Sequence, residues 1–204
     1  MLGYPGAVVQ PSPNFRGGRR AAVDHVVLHT TEGGLSSSLA TLTDPYREAI
    51  NDDGDTVSAR VSAHYLVSED VIYQLVDDGD EAWHAGPANR HTIGVEVVGE
   101  ADDPRTWSDK IVAQLGALVG WLSTEYGIPL VYRAEASDPE AARGFVAHGA
   151  LDPERRHDPG IWFPWPEVRA AARREQSGAP SAPGDFAPVV ALLLIALGLA
   201  WVMR

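Results

Sequence analysis

The sequence contains no cysteine, so no disulfide can staple it and no thiolate can hold a metal. Any metal site must be built from histidine and carboxylates. Basic residues are scarce: 16 Lys and Arg stand against 28 Asp and Glu, a formal net charge of −12. That balance argues against the nucleic-acid-binding classes, whose phosphate partners call for a basic face; an acidic surface chiefly keeps a protein soluble. The opening stretch, Met1 to Pro13, lacks both a basic start and a long apolar run, so no secretory signal peptide is expected. Internal repeats are also lacking. Hydrophobic residues make up 45% of the 204 residues, enough for one ordinary domain with an appendage.

Hydropathy patterning supplies the elements. Pro11 to Arg20 reads as an irregular lead-in, with two prolines and a Gly-Gly pair. Val23 to Thr30 is a short run rich in β-branched residues, suited to a buried strand. Ser36-Ser37-Ser38 followed by Leu39 and Leu42 predicts a serine-capped helix. Asn51 to Asp55 is acidic and turn-prone, without the alternating ligands and closing Glu of a calcium loop, and reads as a solvated loop. Ala63 to Val67 and Val71 to Val76 form a predicted hairpin, and Thr92 to Val98 an alternating strand. Ser108 to Tyr126 carries apolar residues at three- and four-residue steps and predicts a helix, stopped by Gly127 and Pro129. Arg133 to Arg143 reads as a polar connection, Gly144 to Ala147 as a short strand, and Pro164 to about Gln176 as a final helix.

Three stretches carry chemistry. His29 ends the first buried run, where a side chain can leave the core and face a cleft. His148 opens a segment in which Asp158, ten residues on, precedes Pro159 and Gly160. Two imidazoles and a carboxylate from separate loops can bind zinc and leave its fourth position open for water, as a hydrolytic site requires. His157, beside Asp158, is a rival ligand. Glu96 lies between Val95 and Val97, and a carboxylate in such apolar company is costly unless paired, protonated or used.

These pieces together resemble the zinc-dependent N-acetylmuramoyl-L-alanine amidases, whose fold is shared with peptidoglycan recognition proteins and many phage endolysins. The residues carrying the resemblance are His29-Thr-Thr-Glu-Gly33, Ser62-Ala-His-Tyr65, Ala82-Trp-His-Ala-Gly86, Ile93-Gly-Val-Glu-Val-Val-Gly99 and the block from His148 to Gly160. It spans roughly Pro11 to Trp165, with the pieces in the family's order. The resemblance implies an α/β fold with a central mixed β-sheet flanked by helices. It implies zinc ligands His29, His148 and Asp158, with Asp158 preferred over His157 because the family's ligand directly precedes a Pro-Gly pair. It further implies Glu96 as general base and Arg156 as a cation for the oxyanion, in a place where the family often has lysine. His64 and His84 resemble residues lining the substrate groove, either as substrate contacts or as structural histidines. Ala63 stands where some members have a catalytic tyrosine. His25 and His91 read as bland surface or strand-end residues. The implied reaction is hydrolysis, by zinc-activated water, of the amide between N-acetylmuramic acid and L-alanine of the peptidoglycan stem peptide. Non-catalytic peptidoglycan recognition is the alternative.

The resulting organisation is a catalytic domain over residues 1–176, a Gly/Ala/Pro/Ser linker over 177–185, and a C-terminal hydrophobic helix over 186–204. That last segment is nearly free of charge, and roughly 18 apolar residues just cross a ~30 Å hydrocarbon core. With Arg169, Arg173 and Arg174 upstream, the positive-inside tendency keeps the catalytic domain cytoplasmic. A phage endolysin tethered by its tail, acting in host lysis, fits that expectation; a cellular wall-remodelling amidase is the other reading.

Overall fold

The structure, a computed structural model, describes residues 3–51, 53–134 and 142–178. Along the chain run β1 (Val8–Val9), β2 (Phe15–Arg16), β3 (His25–Thr30), α1 (Leu35–Thr43), β4 (Glu48–Ile50), β5 (Thr56–Ser58), β6 (Tyr65–Val67), β7 (Ile72–Gln74) and β8 (Glu81–Ala82). A 3-10 turn, Gly86–His91, leads to β9 (Thr92–Val97). Then follow α2 (Asp109–Glu125), β10 (Tyr132–Arg133), β11 (Gly144–Ala147), α3 (His148–Leu151) and α4 (Trp165–Ser177). Seven strands form one mixed sheet in the order β1-β7-β6-β9-β3-β11-β10. Among the described residues only the β6–β7 hairpin is antiparallel within it; β6, β9, β3, β11 and β10 run parallel.

Because side chains alternate along a strand, each central strand divides its residues between two faces. Val26 and Leu28, Ile93, Val95 and Val97, Tyr65 and Val67 join one core cluster. There they meet Ile111, Leu115, Leu118, Val119 and Leu122 of α2 and Val168 and Ala172 of α4. Small residues let these two helices approach. A carbon added to Gly116 would lie 2.3 Å from Ala171 Cβ, and one on Gly120 2.7 Å from the Ala172 carbonyl oxygen. On the other face Leu66, Leu75 and Leu42 form a smaller cluster with Leu35 and Leu39 of α1. That face receives His29 from β3 and Glu96 from β9, which stand side by side in register.

Several expectations hold. Ser108 caps α2, accepting from the Ile111 amide at 3.3 Å, and Gly127 follows it with a left-handed φ of 60°. The hairpin, the strand leading into His148 and the last helix lie where the pattern puts them. Others are corrected. The serines do not cap α1: Gly34 holds the cap position, and the Ser37 and Ser38 hydroxyls donate to its carbonyl at 2.8 and 2.7 Å. The solvated loop expected at Asn51 to Asp55 stands where expected, its residues 53–55 exposed between the paired strands β4 and β5. β9 is buried on both faces except at Glu96, because helices cover the sheet on either side. The lead-in contains the short strand β2, with β1 just before it, and β10 overlaps the start of the polar connection, whose residues 135–141 are not described.

Helix α4 extends to Ser177, one residue past its expected end, and Gly178 closes it with φ 63°. The remainder of the linker and the expected apolar helix over 186–204 lie outside the described residues. Among the described residues no helix is long and apolar enough to cross a membrane.

Candidate active site

The site sits at the carboxyl ends of parallel strands, where open α/β sheets commonly bind ligands. β3 delivers His29 at its end, β11 hands the chain directly to His148, and β9 delivers Glu96. The return of the chain after α3 brings Asp158 beside them. The Gly149 amide donates to the Asp158 carbonyl at 2.9 Å. A side chain on Gly149 would lie 2.9 Å from His157 Cα, so its absence permits this close packing. Gly160, with φ 86°, turns the chain away against Ala101, whose carbonyl leaves no room for a Cβ.

His29 Nδ1 and His148 Nδ1 each lie 3.2 Å from Asp158 Oδ2. The three ligand atoms fall within 4.8 Å of one another, and all three residues are buried. Two donors bonded to one tetrahedral zinc ion are separated by about 3.3 Å, given bond lengths near ~2.0 Å. The donor set therefore fits that ion. Its electrostatics agree. Burial lowers the His29 imidazole to about 4, against the pull of Asp158, so the ring is neutral at physiological pH. Burial pushes the Asp158 carboxyl up, but the neighbouring His148 and His29 rings outweigh it and hold the group well below the usual carboxylate range.

A second group, Asp24, His25 and His91, contrasts with the first. His25 Nδ1 and His91 Nδ1 both lie 2.7 Å from Asp24 Oδ1. That is a hydrogen-bond length, shorter than the separation of two donors on one ion. With His25 Nε2 at 2.9 Å from the Ala142 carbonyl, the group ties the start of β3 to its neighbours at the end of the sheet remote from His29. These histidines are strand-end residues, as expected, but buried and bonded rather than at the surface.

Starting from the Thr92 hydroxyl, one consistent set of tautomers runs to His29. Thr92 donates its hydroxyl proton to the Ala88 carbonyl at 2.9 Å. Its oxygen then accepts from His84 Nε2 at 3.1 Å. The neutral His84 ring is left with a lone pair on Nδ1, which accepts from His29 Nε2 at 3.1 Å. His29 thus keeps its lone pair on Nδ1, the atom facing Asp158. His84 lies over Gly94, where any Cβ would fall 2.5 Å from the imidazole. The glycine of Ile93-Gly-Val-Glu96 is the gap that admits this ring.

The remaining expected residues fall into different places. Glu96 lines the cleft; its Oε2 is buried and has no hydrogen-bond partner among the described residues. Burial and the nearby Asp158 carboxylate raise its pKa well above the ordinary glutamate value. Arg156 lines the same cleft, and its charge acts on both His29 and Glu96. His157, the rival ligand, is exposed and lies 3.5 Å from Asp102. His64 does not reach the groove. It is fully buried, accepts from the Gly94 amide at 2.9 Å, and lies 2.7 Å from Arg19 and 3.2 Å from the Asp80 carbonyl. The expectation of substrate contact is corrected for His64, whose ring supports the strand beneath His84.

The cleft, of about 400 Å³, continues into a neighbouring lobe through Val61, Trp83, His84, His148, Arg155 and Arg156. Glu32 lines it in a left-handed conformation, φ 52°, and accepts from the Thr30 hydroxyl at 2.7 Å and the Ala101 amide at 3.1 Å. Arg47 and Arg60 add positive charge to its walls, Arg60 lying 5.1 Å from the Trp83 ring centre.

The sequence model of the N-acetylmuramoyl-L-alanine amidase family matches residues 19–161. This chain belongs to that family. It is 33% identical over 150 residues to N-acetylmuramoyl-L-alanine amidase A of Achromobacter lyticus, a match covering 69% of this chain and 77% of that protein. It is 30% identical over 159 residues to the amidase AmiD of Escherichia coli (strain K12), covering 70% of this chain and 51% of AmiD. The chain therefore spans about half of AmiD's length. The crystal structure of a selenomethionine AmpD derivative superposes with a TM-score of 0.63 at 28% identity, covering 84% of this chain and 99% of that one. The central mixed sheet with flanking helices is thus an amidase fold. Within this amidase, sequence reasoning overlooked Thr92, Glu32, Arg47 and Trp83. Thr92 had a readable signal, since it shares strand parity with Gly94 and Glu96; the other three owe their place to loop geometry.

Proposed function

We propose that the protein is a zinc-dependent amidase that hydrolyses the bond between N-acetylmuramic acid and the L-alanine of a peptidoglycan stem peptide. The observation that carries this reading is the convergence of His29, His148 and Asp158 beside a buried, unpartnered Glu96. The substrate class follows from family membership and from relatives named for that amide. His29, His148 and Asp158 would hold the zinc ion, which would supply Lewis acidity for the amide carbonyl and for a water molecule. Glu96 accepts a proton from the attacking water and returns it to the departing nitrogen as the carbon–nitrogen bond breaks. Arg156 faces the negative charge that develops on the carbonyl oxygen; as arginine it stays protonated and donates no proton. His84 positions His29, and the arginine-lined walls suit a peptide that carries carboxylates.

The test is mass spectrometry of purified muropeptides incubated with the full chain. Free stem peptide is the expected product. Chelation or Glu96→Gln should abolish its release, with zinc content unchanged in the variant. Intact muropeptide despite bound zinc would favour a recognition module instead, and cleavage within the peptide would discard the substrate assignment.

The nearly uncharged segment 186–204 supports a membrane anchor, and with it an endolysin that waits at the host membrane before lysis. Protease treatment of intact spheroplasts tests this arrangement. Protection of the catalytic domain is expected; its digestion would favour an exported, cellular wall amidase.

A further inference from the structure

We propose that the Thr92 hydroxyl is a positioning group for the metal site, holding His84 and through it His29 in the tautomers that free His29 Nδ1 for the ion. The inference rests on the zinc reading above and adds to it a residue that touches neither metal nor cleft.

The chain of proton donors runs in one direction. Ala88 offers only a carbonyl, so the 2.9 Å contact must use the Thr92 proton. Thr92 can then only accept from His84 Nε2, and His84 Nδ1 can only accept from His29 Nε2. A backbone carbonyl, which cannot change its role, thereby sets the protonation pattern three groups away. The 3-10 turn Gly86–His91 fixes that carbonyl, and Asn89 secures the loop by accepting from the His84 and Ala85 amides at 3.1 and 2.7 Å.

Removing the hydroxyl reverses the logic. With valine at position 92, His84 Nε2–H would face a methyl group in a buried site, an unsatisfied donor. Moving that proton to Nδ1 relieves the mismatch. Nδ1–H then confronts His29 Nε2–H, and His29 must shift its own proton to Nδ1. That atom is the ligand, so the ion would have to displace a proton before binding.

The experiment compares the full-length wild type, Thr92→Val and Thr92→Ser. Zinc affinity is read by competition with a chromophoric chelator, and His84 and His29 tautomers by long-range 1H–15N spectra. The wild type should show His84 protonated at Nε2. Thr92→Val should bind zinc about 10- to 100-fold more weakly, the range seen when partners behind a ligand are lost, with its His84 proton moved to Nδ1. Thr92→Ser keeps the hydroxyl and should bind like the wild type. The inference is overturned if the wild-type His84 proton sits on Nδ1, a result that needs no variant to fold. Unchanged zinc affinity in Thr92→Val, or an equal loss in Thr92→Ser, would also overturn it. A wild type that takes up no zinc would instead sink the metal-site reading beneath it.

Discussion

Glu96 and Asp78 show what burial does to a carboxyl group when its neighbours differ. Glu96 has an oxygen without a partner and a pKa pushed well up, conditions that make a proton acceptor when a cation is near. Glu96→Gln keeps the shape and removes the base, and should lower kcat by about 10²- to 10⁴-fold while circular dichroism and zinc content stay unchanged. Asp78 lies behind the site, accepting from Tyr65 and Tyr126 at 2.8 and 2.9 Å. Burial outweighs those bonds and raises it to about 6. Between the usual carboxylate pKa of about 4 and this raised value, the folded state binds more protons than the unfolded chain. Its contribution to stability is therefore greatest at acid pH and lost as pH rises towards 6. Denaturant unfolding at several pH values should show the wild type losing on the order of 2 kcal/mol relative to Asp78→Asn across that window. A parallel pair of curves would refute the assignment.

At the scale of elements, the crossing of α2 over α4 makes a prediction against helix propensity. Alanine is a better helix former than glycine by about 1 kcal/mol. At Gly120, however, the new carbon would lie 2.7 Å from a backbone carbonyl that cannot rotate away. Packing should win, and thermal unfolding of Gly120→Ala should show a net loss of about 1 to 3 kcal/mol. The long helix was legible in the sequence because its apolar spacing and Ser108 cap are local properties. So was the strand before His148, which begins at a glycine and hands the chain to that histidine. The two-residue strands β1, β2 and β10 were not, since they are defined by a neighbour's edge rather than by their own pattern. That His29 and His148 meet at one site was readable from family order. The burial of His64 was not, because it depends on Arg19 returning from the lead-in to close over the ring.

For the molecule as a whole, the proposed ion joins residues from opposite ends of the domain, His29 near its start and Asp158 near its close. In a chain without disulfides such a bond is a cross-link between distant segments. An ion that binds only the folded state at 100 times its dissociation constant adds about 2.7 kcal/mol. Calorimetry before and after chelation should therefore show a fall in Tm of about 5 to 11 °C, reversed by adding zinc. His148→Ala should remove the zinc response, since the two remaining ligands no longer close the site.

Strand β9 has a consequence for how such a protein can change over generations. Ile93, Val95 and Val97 face the core shared with α2, while Thr92, Gly94 and Glu96 face the site. Selection for folding and selection for chemistry thus read alternate letters of one six-letter word. A saturation scan scored separately for abundance and for activity should oscillate with a period of two along it. An insertion of a single residue would put both scripts out of phase at once, which leaves substitution as the strand's open route of variation.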